Sequence, residues 1–113
     1  MKTKTRGALV ALAVAALALI PTVAFAGAKA ASTHTVTLEN IAFHPGTLSI
    51  KRGESVKWVW EDGETEHNVT FKGMHSKTQS HGSYTIRFEK PGTFSYDCTI
   101  HVAEGMKGKI IVH

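Results

Sequence analysis

A single cysteine, Cys98, stands in a chain of 113 residues, so no intramolecular disulfide can form. Only three prolines and two tryptophans are present, and no apolar run after the first 26 residues is long enough to cross a bilayer, which needs about 20 such residues. A Gly-rich phosphate loop and a dinucleotide fingerprint are both missing, and the short length argues against a multidomain enzyme. No basic cluster of the kind that tracks nucleic acid occurs either, because the charges of both signs are interspersed.

The N-terminus has its own pattern. Lys2, Lys4 and Arg6 precede an apolar stretch from Ala8 to Ile20, and Pro21 then leads to Ala24-Phe25-Ala26. A basic start, a short apolar core and an A-x-A site predict a secretory signal peptide over 1–26 and an exported product, periplasmic or extracellular. Its removal takes three cations with it, leaving ten Lys and Arg against nine Asp and Glu over 87 residues. Residues 27–33 are small and polar and read as a flexible leader, and the packed domain is expected over 34–113.

Alternation of apolar and polar residues dominates that domain. Val36 and Leu38, Leu48 and Ile50, and Val56, Trp58 and Trp60 each recur at a spacing of two. So do His67, Val69 and Phe71, then Tyr84, Ile86 and Phe88, then Phe94, Tyr96 and Cys98, before a last strand at Lys109 to Val112. Pro45-Gly46, Arg52-Gly53, Asp62-Gly63 and Pro91-Gly92 punctuate these runs, and no stretch keeps a helical period. The pattern predicts an all-β Greek-key sandwich of about seven to eight strands, with Lys72 to Ser83 crossing an edge as a loop, either bare or carrying one short irregular strand. Trp58 and Trp60 read as core packing.

An unpaired thiol in an oxidising compartment calls for a reason. Burial as a small hydrophobe is one, metal ligation, a nucleophile or an intermolecular disulfide are others. Alternation points Cys98 inward at the end of a strand; His101 follows three residues later and Met106 five beyond that. One short loop cannot surround an ion, and His67, on the inward face of an earlier strand, is the candidate for the remaining donor. A thiolate, two imidazoles and a thioether suit copper in a trigonal site with a weak axial Met. Zinc competes for thiolate and imidazole but takes thioether poorly. A Cys98–His101 nucleophile and base would need an orienting group, an oxyanion hole and a cleft, none of which the sequence offers. The other histidines, His34, His44, His75, His81 and His113, are not ligand candidates; His75 and His81 bracket a polar loop and read as solvated, with binding of a stray ion as the lesser alternative.

Glu66-His67-Asn68-Val69-Thr70-Phe71, then Tyr96-Asp97-Cys98-Thr99-Ile100-His101 and Gly105-Met106-Lys107-Gly108-Lys109, resemble the plastocyanin, amicyanin and pseudoazurin branch of the cupredoxins. Phe43-x-Pro45 and the run from Leu48 to Trp58 resemble the early strands of that family, and the C-x2-H-x4-M spacing is similar to that of plastocyanins. Ile100 and Glu66 depart from it, standing where members commonly carry Pro. The resemblance implies one type 1 copper ion held by His67, Cys98, His101 and Met106. It gives His101 an outer ring edge near the surface as the electron exit, and Asn68 a hydrogen-bonding role that ties the two ligand-bearing segments. It also implies an electron carrier that is not an enzyme, a monomer exchanging electrons with a redox protein donor and acceptor. A copper carrier or buffer is the alternative reading, and a metal-free adhesion module a remoter one. Glu61, Asp62, Glu64 and Glu66 form an acidic run that reads as a solvated turn, or as a surface that steers a basic partner.

Overall fold

The computed structural model describes residues 31–113; the signal peptide expected over 1–26 and the first part of the leader lie outside the described residues. Nine strands in two sheets account for the domain. A four-stranded sheet has the order β2-β1-β4-β7, formed by Phe43–His44, Thr33–Leu38, Ser55–Trp60 and Ser83–Arg87. A five-stranded sheet has the order β3-β9-β8-β5-β6, formed by Thr47–Ile50, Lys107–Val112, Gly92–Asp97, Thr70–Phe71 and Met74–His75. Both sheets are mixed: β1 runs parallel to β4 and β3 parallel to β9, while β8 and β9 form an antiparallel pair from Gly92↔Val112 to Asp97↔Lys107.

Period-two alternation selects what lies between the sheets. Val36 and Leu38 of β1, and Val56, Trp58 and Trp60 of β4, turn inward from one side; Phe71, Tyr96, Ile110 and Val112 meet them from the other. Trp58 is the centre of this layer, its indole edge-on to Phe71 at 5.8 Å and to Tyr96 at 5.3 Å between ring centroids. Such edge contacts add about 0.5–1.5 kcal/mol each beyond the area they bury. Tyr96 in turn lies across Gly108, its partner on β9, so closely that a Cβ at Gly108 would fall 2.5 Å from the phenol ring.

Three expectations shift in detail. The two-residue β2 and β6 bring the number of strands to nine, above the seven to eight expected. The run from His67 to Phe71 has the expected inward face, with His67, Val69 and Phe71 all buried, yet regular pairing is confined to β5 at Thr70–Phe71. His67 forms an isolated bridge with Gln79, its N–H and C=O both bonded to that residue, because the chain between Lys72 and Ser83 folds back alongside it and contributes the short β6 on the way. Likewise β8 ends at Asp97, one residue before Cys98, which begins the loop to β9.

Candidate metal centre

The connection from β4 to β5 leaves the first sheet and enters the second, and His67 lies on that crossing. Its main chain is held on both sides. Gln79 exchanges two backbone hydrogen bonds with it, and the indole N–H of Trp60 donates to its carbonyl at 3.0 Å. Trp60, read from sequence as packing alone, therefore also anchors this histidine; an inward Trp seven residues upstream was the available signal.

Cys98, His101 and Met106 come from the loop that joins β8 to β9. The Cys98 N–H donates to the Met106 carbonyl at 3.1 Å, and the Met106 N–H returns to the His101 carbonyl at 3.2 Å. His101 N–H donates to the Cys98 carbonyl, and a single 3-10 turn at Val102–Glu104 follows. Gly105 closes that turn with φ of 88°, a left-handed conformation that a side chain would disfavour. The loop is thus a small ring of backbone hydrogen bonds that directs its donor residues to one end of the sandwich.

Cys98 and His67 are wholly buried, Met106 is nearly so, and His101 is partly exposed between the exposed Ile100 and Val102. Cys98 Sγ lies 3.8 Å from His67 Nδ1 and 3.6 Å from His101 Nδ1, and the two ring nitrogens are 3.2 Å apart. A triangle with those edges has its circumcentre about 2.1 Å from each corner, within the roughly 2.0–2.3 Å span of metal bonds to imidazole nitrogen and thiolate sulfur. Three donor atoms facing one point at bonding radius fit a cation. Among the described residues this is the one cluster of three or more His, Cys, Asp or Glu with that geometry.

Around the triangle, Asn68 joins the two ligand-bearing segments. Its carbonyl oxygen accepts from the Thr99 N–H at 3.0 Å and the Thr70 hydroxyl at 2.8 Å, and its amide donates to the hydroxyls of Thr99 and Thr78. Asp62 turns inward from the acidic run, its Oδ2 2.7 Å from His67 Nε2 and 3.1 Å from the Ile41 N–H. The hydrogen bond to His67 holds its carboxyl below the usual value of 3.8, with the Ile41 and Asn40 N–H groups adding to the effect against the opposing cost of partial burial. Sequence reasoning placed Asp62 on a solvated turn and missed this contact. The other members of the run remain outside, with Glu64 3.3 Å from the exposed His81. His34, His44 and His75 have local partners in Glu54, the Glu39 carbonyl and the Ser76 carbonyl, and stand apart from the triangle.

A two-sheet sandwich that gathers a buried cysteine, a buried histidine and a partly exposed one at one pole defines a single-centre metal protein of the cupredoxin type. More particularly, the chain belongs to the copper binding proteins of the plastocyanin/azurin family, whose family model matches residues 30–113. It is 35% identical over 108 residues to amicyanin-alpha of Methylorubrum extorquens, the match covering 88% of this chain and 87% of that protein. It is also 35% identical over 86 residues to the chloroplastic plastocyanin of Tetradesmus obliquus, covering 64% of this chain but only 59% of that longer protein. The solved oxidized form of plastocyanin from Dryopteris crassirhizoma superposes with a TM-score of 0.62 at 25% identity, over 71% of this chain and all of that one. The metal of this site is copper.

Proposed function

We propose that the protein is an exported one-electron carrier between larger redox proteins, with His67, Cys98, His101 and Met106 as the copper ligands and no substrate chemistry of its own. The observation that carries this reading is the triangle of Cys98 Sγ and two imidazole Nδ1 atoms, sealed from water except at the edge of His101. Bound copper supplies the Cu(II)/Cu(I) couple. The chain supplies a cage that stays the same for both charge states, so that little rearrangement accompanies each transfer. Trp60, Gln79 and Asn68 hold the His67 segment, and the ring of hydrogen bonds from Cys98 to Met106 holds the loop.

Exposure is distributed as a carrier of electrons requires. The thiolate, His67 and the thioether are buried, which favours retention of the ion, while His101 with Ile100 and Val102 gives a partner a contact surface at the ligand itself. We assign export to the N-terminal signal peptide at 1–26, with the mature chain in the periplasm or outside the cell and its sandwich domain over 34–113.

Copper loading followed by optical and paramagnetic resonance spectroscopy tests the proposal. The expected result is an intense visible thiolate-to-copper band that disappears on reduction, returns on reoxidation and is absent from Cys98→Ser. A colourless cupric complex, or a coloured one that surrenders its copper to a competing chelator faster than it exchanges electrons, would replace electron transfer by copper carriage or buffering.

A further inference from the structure

We propose that Asp62 is a positioning residue of the copper centre, fixing the ring of His67 so that Nδ1 faces the metal and coupling that ring to the turn at Asn40 and Ile41. This rests on the assignment of His67 as a ligand.

The carboxylate leaves a neutral imidazole one workable arrangement. Asp62 Oδ2 lies 2.7 Å from His67 Nε2 and has no proton to give, so Nε2 carries the N–H and donates it. Nδ1 is then left with its lone pair, on the side of the ring that faces Cys98 Sγ and His101 Nδ1. His67 is wholly buried, and no water competes for either nitrogen. A neutral carbonyl at Nε2 would orient the ring equally well, but a carboxylate also pushes electron density into the imidazole and places a negative charge behind it. Both effects favour the more highly charged copper, so Asp62 holds the reduction potential down.

The same oxygen reaches the opposite way. Asn40 and Ile41 have φ of 55° and 54°, left-handed conformations that are unusual for two successive residues with side chains and especially for a β-branched one. Such geometry persists where its surroundings over-determine it. Here the Ile41 N–H donates to Asp62 Oδ2 at 3.1 Å, while Glu39 N–H to Ala42 carbonyl and Glu61 N–H to Leu38 carbonyl close the turn on either side. The turn between β1 and β2 thus shares an acceptor atom with the buried histidine.

Asp62→Asn and Asp62→Ala in the otherwise native protein test this. Asn keeps one oxygen for His67 and removes the charge; Ala removes both. Voltammetry of the copper-loaded forms should show a higher potential in both variants, with the visible band kept, and the copper affinity of the Ala variant should fall by roughly 10- to 100-fold. In metal-free protein, ring 15N shifts should report Nε2–H for wild-type His67 and a mixture of tautomers in Asp62→Ala. The Ile41 amide should exchange faster in the same variant. An unchanged potential in Asp62→Asn together with unchanged His67 shifts and Ile41 exchange in Asp62→Ala would overturn the proposal. Should Asp62→Ala not fold, the potential of Asp62→Asn decides alone. If wild type itself lacks the thiolate band, the ligand assignment has failed first, and the proposal falls with it; a band present with no response to Asp62 refutes the proposal alone.

Discussion

Asn68→Ala should damage the protein more than its small change in volume suggests. The side chain is almost fully buried and makes four hydrogen bonds, to Thr70, Thr78 and twice to Thr99. Three of these span ten residues or more, so the amide links segments that nothing in local sequence holds together. Thr78 and Thr99 are exposed and their hydroxyls recover water when the amide is lost. The Thr99 N–H and the half-buried Thr70 hydroxyl lose an acceptor shielded by the fold. With about 1 kcal/mol for each of those two and a similar amount in total for the others, the loss is about 3 kcal/mol. In a domain of this size that lowers Tm by roughly 12–24 °C. Thermal unfolding of the metal-free protein, followed by circular dichroism, measures it without any contribution from copper, and Thr78→Val, which removes one peripheral bond, is the control at about 1 kcal/mol or less. A fall of less than about 4 °C for Asn68→Ala would show that the network bears little of the load assigned to it.

Burial pushes the Tyr96 hydroxyl up from 10.0 to about 12, and the nearby Trp58 indole N–H moderates that rise without reaching hydrogen-bond geometry. The folded chain keeps a proton that the unfolded chain gives up above pH 10, so stability is full below pH 10 and declines by about 3 kcal/mol as pH climbs toward 12. Urea unfolding at several alkaline pH values should show this slope in wild type and its loss in Tyr96→Phe, which near neutral pH should cost less than about 1 kcal/mol because it removes an unpartnered buried hydroxyl; an equal slope in both would refute the assignment. Gly108→Ala should destabilise by about 1–3 kcal/mol in the same assay, since a methyl group there must displace the buried Tyr96 ring, and a neutral outcome would mean that the ring can move aside.

Much of the architecture was legible because burial in a sandwich obeys a period of two. Val36 and Leu38, Val56 and Trp58, and Val69 and Tyr96 all face the interior that alternation assigns them. The same rule placed His67 and Cys98 inward, and the loop spacing brought His101 into range. What escaped was contact made by polar groups across long separations. Gln79 pairs with His67 from within a segment whose sequence shows no strand period, so only the folded turn-back reveals the bridge. Asp62 stands among three other acidic residues, and charge alone does not tell which carboxylate turns inward. That choice depends on where the Asn40–Ile41 turn offers its N–H groups, which is a matter of backbone dihedral angles with no hydrophobic signature.

His67 stands where the chain passes from one layer to the other, whereas Cys98 and Met106 lie on the loop that joins β8 to β9, two inner strands of the second layer. An ion gripped by both therefore works as a clasp at one end of a two-leaved book. Saturation with metal adds its binding free energy to the cohesion of the leaves, and the benefit is local. Hydrogen exchange should slow most at the clasped end on loading and hardly at all near Val112 and Phe88, far along the spine.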